Sequence, residues 1–167
     1  NLDLVDKDYD ITTILNNYYF DINNKIQTIL TNEEKNYIKN SIIKVHNELN
    51  WPPFNYNING KATGYSIDYM NLLALKVGLN VEYISGPNWN DFLELMKDNK
   101  LDVMLNIAKT PDREKYLNFT TPYLKAVDSV FVRKEVNNLK SLDDFKGKTL
   151  AVIEGFYEEE LFKKYYP

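Results

Sequence analysis

The sequence has no cysteine, a single histidine (His46) and only two arginines, Arg113 and Arg133, among its twenty basic residues. Without thiols there is neither a disulfide framework nor a cysteine nucleophile, and a zinc site has too few ligands. A lone histidine inside a β-branched run also argues against a serine-histidine-aspartate triad. No apolar run approaches the roughly 18 residues of a membrane span. The opening Asn-Leu-Asp-Leu-Val-Asp lacks the basic start and apolar stretch of a signal peptide. With a net charge of -4, a pI near 5.1 and no basic patch, the chain carries no electrostatic footprint for nucleic acid. No metal and no cofactor is expected. The missing cysteine fits an extracytoplasmic domain but does not by itself fix the compartment.

What is present is sufficient for a folded core. The chain has 167 residues, of which 44% are hydrophobic and 14% aromatic, about one domain's worth of material. Residues 1–30 read as a helix or a linker leading from something upstream, with Asp10 as a possible cap. Thr31-Asn32-Glu33-Glu34 is a capping box that opens a short helix ending near Lys39. From there strand and helix alternate. Strands are expected at 42–46, 81–85 and 101–107, and two more at 127–133 and 149–153. Between them, Tyr65 or Ser66 starts a helix that Gly78 stops, and Asn90 can cap one carrying Phe92, Leu93 and Met96. Residues 50–56 read as a loop, with a turn at Asn59-Gly60. Thr110-Pro111 and Ser141-Leu142 each begin a short helix, and a last helix begins near Tyr157. Three β-α repeats of this length imply a mainly parallel sheet flanked by helices, an α/β fold.

Four motifs stand in a telling order: Trp51-Pro52-Pro53-Phe54; Gly64-Tyr65-Ser66-Ile67-Asp68-Tyr69; Thr110-Pro111-Asp112-Arg113 with Phe119-Thr120-Thr121-Pro122-Tyr123; and Leu142-Asp143-Asp144-Phe145-Lys146-Gly147 before Val152-Ile153-Glu154-Gly155. In this order and spacing the chain resembles the family 3 bacterial solute-binding proteins, from about Ile42 to Pro167. The wording of 106–119 looks most like the sensor domains of bacterial histidine kinases and diguanylate cyclases. A short helix before the first strand is also typical of that branch.

The resemblance implies a two-lobed, periplasmic binding protein-like fold with a small molecule held between the lobes. It divides the chain into an N-terminal helical linker or end of an upstream domain (1–40), a first lobe (41–125), and the hinge and start of an incomplete second lobe (126–167). It implies that Arg113 holds a ligand carboxylate, because only arginine offers a planar two-pronged donor. Trp51 and Trp89 would wall the cleft, and Asn106, Ala108, Tyr123, Phe156 and Tyr157 would complete it. For three of them there is a plainer role: an ion pair for Arg113, core packing for Trp89, the crossover for Tyr123.

Two positions depart from the amino-acid-binding members. Ala108 stands where they commonly carry a serine or threonine, and Gly155-Phe156-Tyr157 replaces a run of small residues. Both argue for a ligand more apolar or aromatic than an ordinary α-amino acid. The expected function is an extracytoplasmic sensor domain rather than an enzyme. It would reach the membrane only through a downstream span and would form a homodimer if copies exchange their C-terminal parts. The alternatives are a binding protein of an importer and, further off, a cyclohexadienyl-dehydratase-like enzyme using Glu154, Asp68 or His46.

Overall fold

The computed structural model describes residues 29–136 and 139–166; the reading of residues 1–30 lies almost wholly outside them. The chain opens with α1 (Asn32–Asn40). The expected capping box is present: the Thr31 hydroxyl accepts from Glu34 N–H at 3.2 Å and the Glu34 carboxylate accepts from Thr31 N–H at 2.7 Å. There follow β1 (Ile42–Asn47), β2 (Asn50–Trp51), β3 (Asn55–Ile58), β4 (Lys61–Thr63), α2 (Tyr65–Val77), β5 (Asn80–Ser85) and α3 (Trp89–Lys97). Two 3-10 turns at Arg113–Lys115 and Leu142–Phe145 precede α4 (Tyr157–Tyr165).

β1 and β5 pair in parallel, from Ile42 opposite Asn80 to Asn47 opposite Ser85, so α2 is the crossover that a parallel pair requires. On the other edge of β1, Val45 forms a parallel bridge with Val103. β1 is therefore central; one of its faces is buried throughout, while on the other Ile42 and Lys44 are exposed and His46 is covered. Ile43 and Val45 pack with Ile67 and Met70 of α2 and with Leu105. His46 turns to the other face, edge-on to Phe92 of α3 at 4.5 Å between ring centroids.

The third expected strand shrinks to that one bridge, for a local reason. Lys44 N–H donates to the Asp102 carboxylate at 2.8 Å, so a side chain takes a backbone donor the ladder would have used. The chain then swings away through Asn106, whose φ is +59°. Segments 127–133 and 149–153 form no strand. Their β-branched residues favour extended backbone, but nothing among the described residues pairs with them, and Phe131 is 93% exposed.

The presumed loop at 50–56 instead contains strands. β2, β3 and β4 make a small antiparallel meander, closed by the turn at Asn59-Gly60 where both residues have positive φ. Buried amides hold it to β1. Asn47 Nδ2 donates to Asn55 Oδ1 at 2.7 Å and to Tyr56 O at 3.1 Å, and Ser85 Oγ donates to Asn47 Oδ1 at 2.6 Å. The cap of α3 is Asn88, not Asn90: Asn88 and Asp91 exchange the bonds of a second capping box. Gly78 ends α2 in the left-handed conformation, as expected.

Candidate functional site

The site gathers beyond the carboxyl end of β1, where open α/β sheets place their ligands. α3 begins there with Trp89, which is 9% exposed and aligned by its capping box. Its indole Nε1–H donates to Gly155 O at 2.9 Å, and its ring meets His46 and Phe156 at 5.7 and 5.0 Å. Arg113 lies beside it, with the guanidinium carbon 5.7 Å from the indole centroid. Thr110 fixes the turn that carries it, its hydroxyl accepting from Arg113 N–H at 3.3 Å.

Arg113 is 2% exposed, and most of its donors are engaged within the chain. Nη1 donates to Ala108 O at 3.0 Å, Nη2 donates to Gly155 O at 3.0 Å, and the Glu160 carboxylate stands 3.1 Å from Nη2. Nε is the one guanidinium nitrogen that is buried without any partner. A second orphan lies a few residues away: Asn106 Oδ1 is buried and unpaired, although Asn106 Nδ2 donates to Ser66 Oγ at 2.6 Å. The Asn106 N–H donates to the Tyr123 hydroxyl at 3.2 Å. Tyr123 is in turn stacked on Tyr69, 4.8 Å away and 11° from parallel.

The eight sequence-derived candidates therefore divide. Trp89, Arg113, Ala108, Phe156 and the Gly155 carbonyl form one cluster. Asn106 and Tyr123 are hydrogen-bonded to each other. Tyr157 is half-buried and its hydroxyl donates to Asp128. Trp51 stands on β2 with Phe54 as its ring neighbour, 5.7 Å away. An open hollow of about 370 Å³ borders the cluster, lined by Asn88, Trp89, Asn90, Asp91, Ile153 and Glu154.

Sequence reading missed Glu160, hidden in an acidic run that looks like the solvated start of a helix, and Ser66, which orients Asn106. Glu159, in the same run, binds Gly155 N–H at 2.7 Å and Lys163 Nζ at 2.7 Å. The Lys163 hydrogen bond, then that of Gly155, holds its carboxyl below its ordinary range. Of the acids and bases considered for an elimination, Asp68 has its carboxyl pushed up by burial, against the pull of Lys61. Asp68, His46 and Glu154 make no hydrogen bond or ion pair with one another among the described residues. His46 is fully buried and bonded to Glu48 at 3.1 Å.

The described residues form an α/β unit with a buried arginine-tryptophan cluster beyond the carboxyl end of its central strand. The profile of one family matches residues 43–166, and the chain belongs to the bacterial extracellular solute-binding proteins, family 3. The probable amino-acid-binding protein YxeM of Bacillus subtilis (strain 168) is 35% identical over 104 residues, covering 62% of this chain and 39% of the relative. An ancestral arginine-binding protein solved with arginine is 32% identical, with a TM-score of 0.66 over 74% of this chain and 55% of that one. A histidine kinase sensor domain with similarity to periplasmic binding proteins shares the fold at 24% identity and a TM-score of 0.69, over 74% and 54% of the two chains. This chain thus spans about two fifths of the curated relative and about half of the matched structures.

Proposed function

We propose that this chain is part of an extracytoplasmic receptor module that binds a small amino-acid-like molecule at Arg113 and Asn106. In this reading residues 41–125 are the first lobe, and 126–167 are the hinge and the start of the second. The observation that carries it is two of the three buried, unpaired side-chain polar atoms among the described residues, the Arg113 Nε–H donor and the Asn106 Oδ1 acceptor, the third being Glu158 Oε2. Leaving either unpaired in a folded protein costs about 1–3 kcal/mol. A ligand bearing a carboxylate and an ammonium group offers a partner of the right kind to each. Trp89 and Phe156 supply an apolar wall for its side chain. Ala108 offers the site a backbone carbonyl and no hydroxyl, which leaves the carboxylate chiefly to arginine.

The output we favour is a sensor. The capped helix α1 ahead of β1 and the wording of 106–119 support that reading. A relative from Haemophilus influenzae described as a probable amino-acid ABC transporter-binding protein, 30% identical over 115 residues, supports the other one, a binding protein serving an importer. The coding sequence after Pro167 separates them. An apolar span followed by a kinase or cyclase domain fits the sensor, and a chain that ends with the solute-binding domain fits the importer.

Ligand recognition itself is tested by thermal shift against the twenty amino acids and L-cystine. At least one is expected to raise the melting temperature in proportion to the logarithm of its concentration. No shift with any of them would contradict the reading.

A further inference from the structure

We propose that Glu160 acts as an internal carboxylate that occupies Arg113 in the unliganded chain, so that a ligand carboxylate must displace it. This inference rests on the ligand reading of Arg113 and adds a residue that sets the affinity of that site. Three observations carry it. The Glu160 carboxylate is 3.1 Å from Arg113 Nη2, and the same nitrogen donates to Gly155 O at 3.0 Å. Arg113 is 2% exposed whereas Glu160 is 37% exposed, so the acid approaches the guanidinium from the solvent side and covers it. The segment carrying Glu160 is clamped onto the same cluster. Gly155 O accepts from both the Trp89 indole and Arg113, Gly155 N–H donates to Glu159, and Phe156 packs on Trp89.

The consequence follows from the geometry of a guanidinium, which holds five N–H donors in a fixed planar fork. While Glu160 and the Gly155 carbonyl share Nη2, a ligand carboxylate cannot take a paired grip that uses Nη2. It is left with single contacts at the unpartnered Nε–H and the second Nη1–H. Binding in the stronger mode requires the start of α4 to lift away. Ligand arrival at the first lobe is thereby coupled to movement of the segment 153–160.

A ligand-independent experiment reads the cover directly, because the chain has only two arginines. Phenylglyoxal modification followed by mass spectrometry compares buried Arg113 with exposed Arg133 in the same molecule. Glu160→Gln is expected to raise labelling of Arg113 relative to Arg133 by roughly three- to tenfold, the scale of a charge-assisted contact softened by solvent. Lys163→Gln weakens α4 through its pair with Glu159 without touching Arg113, and is expected to leave that ratio unchanged. Unchanged protection of Arg113 in Glu160→Gln overturns the proposal, and so does an equal rise in Lys163→Gln.

A binding experiment then tests the competition, with L-arginine and its carboxylate-free analogue agmatine as probes. Glu160→Gln should tighten L-arginine by a similar factor and leave agmatine where it was. Equal changes for both compounds overturn the competition. If neither binds either protein, L-arginine is not the ligand of Arg113, and the labelling ratio decides by itself whether Glu160 covers it.

Discussion

Gly64 and Arg113 show how much of this fold is settled by single positions. Gly64 precedes α2 at φ +119°, and the first helical amides donate to the neighbouring turn, Tyr65 N–H to Pro53 O at 3.0 Å and Ser66 N–H to Phe54 O at 2.9 Å. A Cβ at Gly64 would lie 2.5 Å from Phe54 O and 2.7 Å from its carbonyl carbon, both backbone atoms that cannot rotate aside. Gly64→Ala should therefore destabilise the protein by about 2–4 kcal/mol, overpacking and backbone strain combined. A urea midpoint unchanged from wild type would show that the turn yields. The same substitution displaces Ser66 and with it the orientation of Asn106. Arg113 was legible in the sequence because arginine is scarce here and lysine cannot match its planar grip. Glu160 was not legible, because an acid in the first turn of a helix is already explained by the helix dipole.

At the level of elements, local signals were read well and tertiary ones poorly. Both capping boxes are local: Thr31 with Glu34 was identified from the sequence, and Asn88 with Asp91 was missed by two residues because Asn90 stood nearer the apolar stripe. The meander β2–β4 was invisible because Asn55-Tyr56-Asn57 has the composition of a turn. It becomes a strand only when Asn47, eight residues before Asn55, supplies a buried amide partner. Segments 127–133 and 149–153 fail in the opposite sense, with strand composition and no described partner. Helix α4 has its own test. Glu159 is held below its ordinary range by Lys163 and then Gly155, so its folded pKa lies below its unfolded one. Its contribution is present above the unfolded value and is lost as pH falls through the folded one. Acidification below the usual carboxylate range should release the Gly155 turn and change Trp89 fluorescence. Glu159→Gln should lack that step. A transition identical in the variant would remove Glu159 as its cause.

Over the whole molecule, the alternation of β-branched runs with capped helices was enough to read a parallel α/β lobe. The parallel pairing of β1 with β5 and of Val45 with Val103 has that form. The joining of Trp89 to Gly155 was not readable, because the bond spans 66 residues and depends on how 153–160 folds back onto the start of α3. That return is what turns a helix start, a 3-10 turn and a glycine into one site. The proposed role of Arg113 is to anchor a ligand carboxylate at this site. It is tested by calorimetric titration of wild type, Arg113→Lys and Arg113→Ala with the amino acid that most stabilises the protein. Arg113→Ala should lose roughly 2–5 kcal/mol, as when one side of a desolvated charge pair is removed, and lysine, which lacks the planar fork, should rescue little of it. Affinity equal to wild type in Arg113→Ala would contradict it.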